Sequence, residues 1–203
     1  MSHMNYYIFS YGGCGSTMLT GFLGNFGKAY HLHDRTPPKF LSSEFKVAEK
    51  TNCKIWMSDD LATKVDDDKA RAIYIYRDPV KAVISRPSWQ HTYHIEGDIE
   101  EHPEGTVEYA SQGVDRRRYE EHFDNWNDYE NINYKVLYLN YDHLWENLNT
   151  VMGYCRLPRN LSSKFPQKRE TKKDIPDETV EILREMYYNL SVKIDDVDNC
   201  FVK

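Results

Sequence analysis

Residues 6–24 constrain the fold more than any other stretch, because a β-rich segment runs into a glycine turn and then a helix. The turn is Gly12-Gly13-Cys14-Gly15-Ser16-Thr17. Apolar residues at helical spacing follow it: Met18, Leu19, Phe22 and Leu23. Glycines let a main chain bring its amide groups close to an anion, and the helix start adds the positive end of its dipole. The segment predicts a phosphate-binding loop. The alternative is a turn that only joins a strand to a helix.

The loop differs from the common phosphate-binding pattern G-x-x-x-x-G-K-[ST]. Gly15 stands where that pattern has its lysine, directly before the hydroxyl of Ser16. The hydroxyls of Ser16 and Thr17 fall at the predicted helix start, where they would cap the helix or donate to phosphate.

Composition predicts one domain over residues 1–203, with a substantial core. Residues 1–4 resemble an expression-tag remnant and are set aside. No apolar run approaches the roughly 18–20 residues that span a membrane, and no signal peptide is evident at the N-terminus. Four scattered cysteines argue against a zinc site or a disulfide framework. A net charge of −6 argues against nucleic-acid binding. We therefore expect a soluble, cytoplasmic protein without membrane or nucleic-acid partners.

Strand-like and helix-like segments alternate along the chain. After the first strand, further strands are predicted at Lys28–His33, Cys53–Ser58, Arg71–Tyr76 and Tyr134–Tyr141. Helices are predicted at Phe40–Lys50, from Ser58 to Asp68, from Pro79, over Val114–Glu130, after a cap at Asp142, and from Asp177. This alternation predicts an α/β fold with a parallel sheet flanked by helices.

In such a sheet the ligand site lies at the carboxyl ends of the strands. The glycine loop, His33–Arg35, Ser58-Asp59 and Arg77 are all expected to emerge there. Arg77 follows a strand, and Ser85 lies eight residues later, about two turns along the next helix. An arginine fork and a hydroxyl so placed could contact one phosphate. Taken alone, they would rather be a surface arginine and an incidental helical serine.

With the glycine loop, these residues resemble the sulfotransferases that use 3′-phosphoadenosine 5′-phosphosulfate (PAPS). In that family a Tyr-Pro-Lys-Ser-Gly-Thr-Thr loop holds the 5′-phosphosulfate, and Tyr11–Thr17 is similar in position and in its Gly-hydroxyl-hydroxyl end. A later Arg-(Asn/Asp)-Pro with a serine eight residues on binds the 3′-phosphate, as Arg77-Asp78-Pro79 and Ser85 would. The resemblance implies a P-loop nucleotide-hydrolase-like sulfotransferase fold. It also implies PAPS as donor, 3′-phosphoadenosine 5′-phosphate (PAP) as product, and no metal.

Two further matches extend the resemblance to about Leu190. Leu137–Asp142 looks like the family's Leu-Tyr-Leu-x-Tyr-Glu-Asp strand, which implies that Tyr141 contacts the adenine. Lys168-Arg169-Glu170-Thr171, before a Pro-Asp-Glu helix, is similar to bacterial-type members in which basic residues approach the cofactor. The resemblance therefore adds Lys168 and Arg169 to the predicted cofactor-binding residues.

One position departs from the family. Gly13 occupies the place of a loop lysine or arginine that helps stabilise charge on the departing phosphate. A cation or oriented amides should compensate. Arg35 is the first candidate to supply the charge, with Lys39 and Lys54 as reserves.

The acceptor's proton requires a base within hydrogen-bond reach. His31 and His33 share one face of the second predicted strand, and Asp34 follows where some sulfotransferases place an acidic base. Asp59 occupies the position of the base histidine of cytosolic members, although aspartate there could equally cap a helix. We rank His33 and Asp34 before Asp59; the alternative is structural histidines with a surface ion pair.

Residues 87–112 form an irregular segment that we place on the acceptor side, with Trp89, His91, Tyr93 and His94 as lining candidates. The triplet Arg116–Arg118 predicts a solvated helix face, or an anionic acceptor such as an acidic saccharide if it faces the cleft.

The sequence therefore predicts sulfuryl transfer from PAPS to a hydroxyl or amine of a small-molecule or saccharide acceptor. One alternative is a small-molecule or nucleotide kinase, against which the missing lysine and the lack of an acidic Mg²⁺-binding strand end count. The other alternative is a non-catalytic nucleotide-binding module.

Overall fold

The computed structural model describes residues 4–47, 54–85, 105–130, 132–168 and 174–203. Seven strands lie within this part of the chain: β1 Asn5–Phe9, β2 Lys28–Leu32, β3 Phe45–Val47, β4 Lys54–Met57, β5 Ala70–Tyr76, β6 Val136–Asn140 and β7 Cys200–Val202. The α-helices are α1 Ser16–Leu23, α2 Pro79–Ser85, α3 Thr106–Ser111, α4 Tyr119–Asn127, α5 Leu148–Tyr154, α6 Asp177–Met186 and α7 Tyr188–Asp195.

The main sheet has five strands in the order β2-β1-β5-β6-β7. The first four strands are parallel, and β7 is an antiparallel edge strand beside β6. Strands β1, β5 and β6 are almost wholly buried, which is typical of parallel strands covered on both faces. The prediction of an α/β fold with a parallel sheet flanked by helices is confirmed at this level, with β7 as an addition.

Helices cover both faces of the sheet because alternate side chains of each strand point in opposite directions. On one face Trp126 of α4 packs against Phe9 and Tyr74, with ring centroids 4.6 and 4.8 Å apart. On the other face Tyr6 donates to the main-chain oxygen of Cys155, at the end of α5. Helix α1 buries Leu19, Phe22 and Leu23 at the spacing of one helical face.

The segment between β2 and β5 differs from the prediction. The predicted helix Phe40–Lys50 is wrong where the chain is described, because Phe45–Val47 forms an antiparallel pair with Lys54–Met57. The predicted third strand therefore lies in a separate two-stranded sheet. The helix predicted through Asp68 is replaced by two short 3₁₀ helices.

Later boundaries also differ. The helix predicted over Val114–Glu130 begins only at Tyr119, after Arg118 adopts a left-handed conformation with φ 53°. Asp142 does not cap a helix; it lies in a 3₁₀ turn capped by Asn140, and α5 begins at Leu148. The predicted final helix is two helices that meet at Tyr187.

The chain reverses direction across the sheet between β1 and β5. From β1 it moves to β2 on one side, and it later returns to β5 on the other side. The carboxyl ends of β1 and β5 therefore form a topological switch point, where open α/β sheets bind their ligands. The glycine loop and Arg77 begin at these two strand ends.

No helix in the described part of the chain is both long enough and apolar enough to cross a membrane.

Candidate functional site at the β1–β5 switch point

The loop between β1 and α1 depends on left-handed backbone conformations. The φ angles are 89° at Gly12, 73° at Gly13 and 72° at Gly15, which is the residue before α1. Glycine adopts these angles without the steric cost that a Cβ atom brings. The amides of Met18 and Leu19 bond to the Gly15 oxygen, so those of Ser16 and Thr17 have no intrahelical acceptor. These amides and the helix dipole suit an anion.

Two of the loop glycines have no room for a side chain. A Cβ atom on Gly13 would lie 2.4 Å from the main-chain oxygen of Ala82 in α2. A Cβ atom on Gly15 would lie 2.1 Å from the Tyr141 ring. The loop is therefore packed between α2 and Tyr141. No lysine side chain fits at position 13 in this conformation.

A hydroxyl–imidazole network lies beside the loop. Ser10 Oγ lies 2.9 Å from Ser16 Oγ, and Ser16 Oγ lies 2.7 Å from His31 Nε2. His33 Nδ1 is 2.8 Å from the Ser10 main-chain oxygen, which can only accept. His33 therefore carries a proton on Nδ1, and in the neutral form of the ring the lone pair is on Nε2. The rings of His31 and His33 are 4.4 Å apart.

Arg77 emerges from β5 beside the loop. Its main chain is held by the Tyr11 hydroxyl, which accepts from the Arg77 amide at 2.9 Å and donates to the Arg77 oxygen. Its Nε donates to Asp142 Oδ1 at 3.1 Å, and its guanidinium lies 4.7 Å from the Tyr141 ring centre. Within the described residues Nη1 and Nη2 have no hydrogen-bond partner, so both can donate to a ligand.

Asp142 gathers two further cations. Lys81 donates to Asp142 Oδ2 at 2.9 Å, and Lys168 donates to the Asp142 main-chain oxygen at 3.1 Å. Burial acts to raise the pKa of Asp142, but the Lys81 hydrogen bond and the Arg77 charge outweigh it and lower that pKa below its ordinary value. One carboxylate thus faces Arg77, Lys81 and Lys168, which leaves an excess of positive charge.

Ser85 ties α2 to the loop. Its Oγ lies 3.0 Å from the Gly13 oxygen and 3.0 Å from the Ala82 oxygen, so its one proton is donated to these main-chain oxygens. A phosphate could receive that proton only if the Ser85 hydroxyl turned away from both oxygens.

The remaining candidates for base and cation lie in different surroundings. Asp34 is buried, its Oδ1 accepts from the Met57 amide at 3.0 Å, and its main-chain oxygen accepts from Trp126. Arg35 is also buried. Asp59 is exposed and paired with Lys46 at 3.1 Å. A surface pocket with a volume of about 790 Å³ is lined by Asp34, Asp59 and Lys39 among others, but by no residue of the glycine loop.

Several predicted site residues lie outside the part of the chain that the structure describes. Arg169, Trp89, His91, Tyr93 and His94 lie outside the described residues, as does the side chain of Lys54. Most of the predicted irregular segment 87–112 also lies outside them; its last residues form α3.

The arginine triplet divides between two environments. Arg118 is exposed and pairs with Glu121. Arg117 is buried, 4.4 Å from the ring centre of Tyr109 and 5.5 Å from that of Tyr119, whose hydroxyl accepts from it. Tyr119 in turn stacks on Tyr11, with ring centroids 4.5 Å apart.

His122 was not identified from the sequence. It lies on α4 and contacts Tyr11, the residue before the glycine turn. His122 is fully buried; Tyr11 meets its ring edge-on at 5.8 Å, and the Tyr74 hydroxyl is 3.3 Å from its Nδ1. Burial, with the nearby Arg35 charge, lowers its pKa to about 3, so it is neutral at pH 7. Its position four residues before Trp126, which puts both residues on one face of the predicted helix, was the available signal.

No protein-family model, no curated protein and no solved structure matches the chain. Its function must therefore be argued from the site. Among the described residues no group of three or more histidine, cysteine or acidic side chains is arranged to hold a metal ion.

Proposed function

We propose that this chain is a sulfotransferase that uses PAPS as donor and a hydroxyl or amine of a small-molecule or saccharide as acceptor. One observation carries the proposal. Two anion-binding elements, the Gly12–Thr17 loop and Arg77, lie at one switch point, and the Tyr141 ring contacts both of them. A nucleotide with charged groups at both its 5′ and 3′ positions matches this arrangement.

Each part of the donor has residues that suit it. The amides at the start of α1 suit the 5′-phosphosulfate, since they donate without a side chain. Arg77, with Lys81 and Lys168 nearby, suits the 3′-phosphate, because a guanidinium fork binds phosphate in a bidentate manner. The half-buried Tyr141 ring suits the adenine. Ser85 would join the 3′-phosphate only by giving up its bond to Gly13.

The reaction moves one sulfuryl group in line between two oxygens, or from oxygen to nitrogen. The bond between sulfur and the bridging oxygen of the donor breaks, the bond between the acceptor atom and sulfur forms, and PAP leaves. We propose His33 as the base that takes the acceptor's proton. Its Nδ1 donates to the Ser10 main-chain oxygen, so Nε2 carries the lone pair of the neutral ring. In place of a loop lysine, the Ser16 and Thr17 amides and the α1 dipole stabilise the charge on the leaving phosphate.

Titration calorimetry with PAP tests the binding half of the proposal. The wild type should bind PAP, and Arg77→Ala should weaken PAP roughly ten- to a hundredfold, as expected for the loss of charge-assisted hydrogen bonds. Adenosine 5′-phosphosulfate lacks the 3′-phosphate, so the same variant should change its affinity much less. Arg184→Ala is the matched control, because Arg184 is exposed and, within the described part of the chain, its ion pair is with Glu181. Failure of the wild type to bind PAP would refute the proposal.

Transfer assays separate the remaining alternatives. Sulfuryl transfer from labelled PAPS that is lost in His33→Ala, with PAP affinity retained, supports the enzyme and its base. Tight PAP binding without transfer across phenols, amines and saccharides supports a binding module. Magnesium-dependent ATP turnover supports a kinase.

A further inference from the structure

A chain of hydrogen bonds leads from the glycine loop to β2. The Gly12 amide donates to Ser10 Oγ at 3.3 Å, Ser10 Oγ donates to Ser16 Oγ at 2.9 Å, and Ser16 Oγ lies 2.7 Å from His31 Nε2. Ser10 and Ser16 are buried, at 0% and 3% exposure. Because Ser16 is buried, the orientation of its hydroxyl proton is limited by the neighbouring Ser10 and His31.

The direction of that proton depends on His31. A hydroxyl has one proton and two lone pairs, and Ser10 already occupies one lone pair of Ser16. When His31 is neutral with its proton on Nδ1, Nε2 accepts from Ser16, and Ser16 presents a lone pair elsewhere. When His31 is protonated on both nitrogens, Nε2 donates to Ser16, and the Ser16 proton is released toward the loop. An anion is repelled by the first arrangement and accepted by the second.

We propose that His31 is a positioning residue that sets the direction of the Ser16 hydroxyl, so that an anion in the Gly12–Thr17 loop binds more tightly when His31 is protonated. The inference rests on the proposed function of this loop as an anion site. It assigns a titratable donor to a loop in which no cationic side chain fits at Gly13. The charge of the imidazolium would add to the effect.

The elements packed against His31 carry few charges in the described part of the chain. The His33 ring, which follows the end of β2, is 4.4 Å away, and two imidazolium ions so close would repel each other. Neither β1 nor α1 carries a charged side chain. The tyrosines of β1 stay protonated, since burial raises the pKa of Tyr6 to about 12 and that of Tyr7 higher still. From β4, Lys54 is the charged residue, and its side chain lies outside the described residues.

The test is the pH dependence of PAP binding between pH 5.5 and 8.5, measured by calorimetry. His31→Gln places a permanent N–H donor near the Nε2 position, so its affinity should not depend on His31 titration. The ratio of wild-type to His31→Gln affinity should fall about tenfold across this range, as expected for one charge-assisted hydrogen bond. Taking the ratio removes the effect of protonation of the PAP phosphates, because that protonation affects both proteins equally. His143→Gln, an exposed histidine paired with Glu146, should behave like the wild type.

Ser16→Ala separates the hydroxyl from the charge. It should weaken PAP about five- to tenfold at pH 5.5 and give a pH profile close to that of His31→Gln, because no hydroxyl is left to turn. If Ser16→Ala keeps the wild-type pH dependence, or if wild type and His31→Gln share one profile, the positioning role is wrong while the proposed function stands. If the wild type binds no PAP at any pH, the proposed function fails first. Thermal melting of each variant establishes that it is folded, and Ser16→Ala decides the question if His31→Gln does not fold.

Discussion

Replacing Gly13 with alanine should destabilise the protein by about 2–5 kcal/mol, for two separate reasons. At φ 73° an L-residue costs about 1–2 kcal/mol. The new Cβ would also lie 2.4 Å from the Ala82 oxygen, which is main chain and cannot rotate away. Forced shifts of this kind typically cost about 1–3 kcal/mol. Movement of α2 would also strain the bond from Ser85 to the Gly13 oxygen.

Two other glycines supply matched controls. Gly113 has φ 64°, and a Cβ atom added there would have nothing within 4 Å, so Gly113→Ala isolates the conformational cost of about 1–2 kcal/mol. Gly21 lies within α1 with open space around it, so Gly21→Ala should stabilise the protein by about 1 kcal/mol through helix propensity.

Urea denaturation followed by tryptophan fluorescence measures all three variants against the wild type. Thermal melting offers a second readout, at about 2–4 °C per kcal/mol for a chain of this size. The steric argument requires Gly13→Ala to be clearly less stable than Gly113→Ala. If the two variants differ by less than about 0.5 kcal/mol, the contact with Ala82 is not the reason that glycine occupies position 13.

Three further outcomes follow from the site. Because the pKa of Asp142 is lower in the folded state, its carboxylate stabilises the protein above the unfolded-state pKa near 3.9. In urea titrations the wild type should therefore be more stable than Asp142→Asn at pH 6, and this difference in unfolding free energy should shrink as the pH falls to 3. His122 binds a proton at about pH 6.5 when unfolded but only near pH 3 when folded, so stability should fall by up to about 1.4 kcal/mol per pH unit below 6.5; His122→Phe should remove that part of the acid sensitivity. Ser85→Ala should cost about 1 kcal/mol in unfolding experiments and should weaken PAP less than Arg77→Ala does, since the Ser85 proton serves Gly13; equal losses of affinity would show a direct phosphate contact.

The parts of the fold that were predictable are those in which local pattern and burial agree. Strands β5 and β6 are apolar apart from Arg71 and Asn140, because both faces of the sheet are covered there. The pairing of Phe45–Val47 with Lys54–Met57 was missed, since three residues are too few for their periodicity to distinguish a strand from a helix. The short strand β7 was missed for the same reason.

The site was predictable where the backbone alone defines it. The positive φ angles of Gly12, Gly13 and Gly15 follow from glycine's freedom, and the sequence pattern places them before a helix. The role of Asp142 was not predictable, because its partners Arg77 and Lys81 are more than 60 residues away and an aspartate after a strand is equally typical of a helix cap. The occupied hydroxyl of Ser85 likewise becomes visible only when α2 packs on the loop.

The double hydrogen bond between the Tyr11 hydroxyl and the Arg77 main chain has a consequence for selectivity. Burial raises the pKa of Tyr11 well above its ordinary value, so this phenol keeps its proton and the link persists across the physiological pH range. The separation between the loop and Arg77 is thereby set by the protein before any ligand arrives. A site of fixed span loses little conformational entropy on binding. The fixed span also selects among ligands. A nucleotide whose two anionic groups are spaced to match contacts both the glycine loop and Arg77, whereas a nucleotide with a different spacing contacts only one of them.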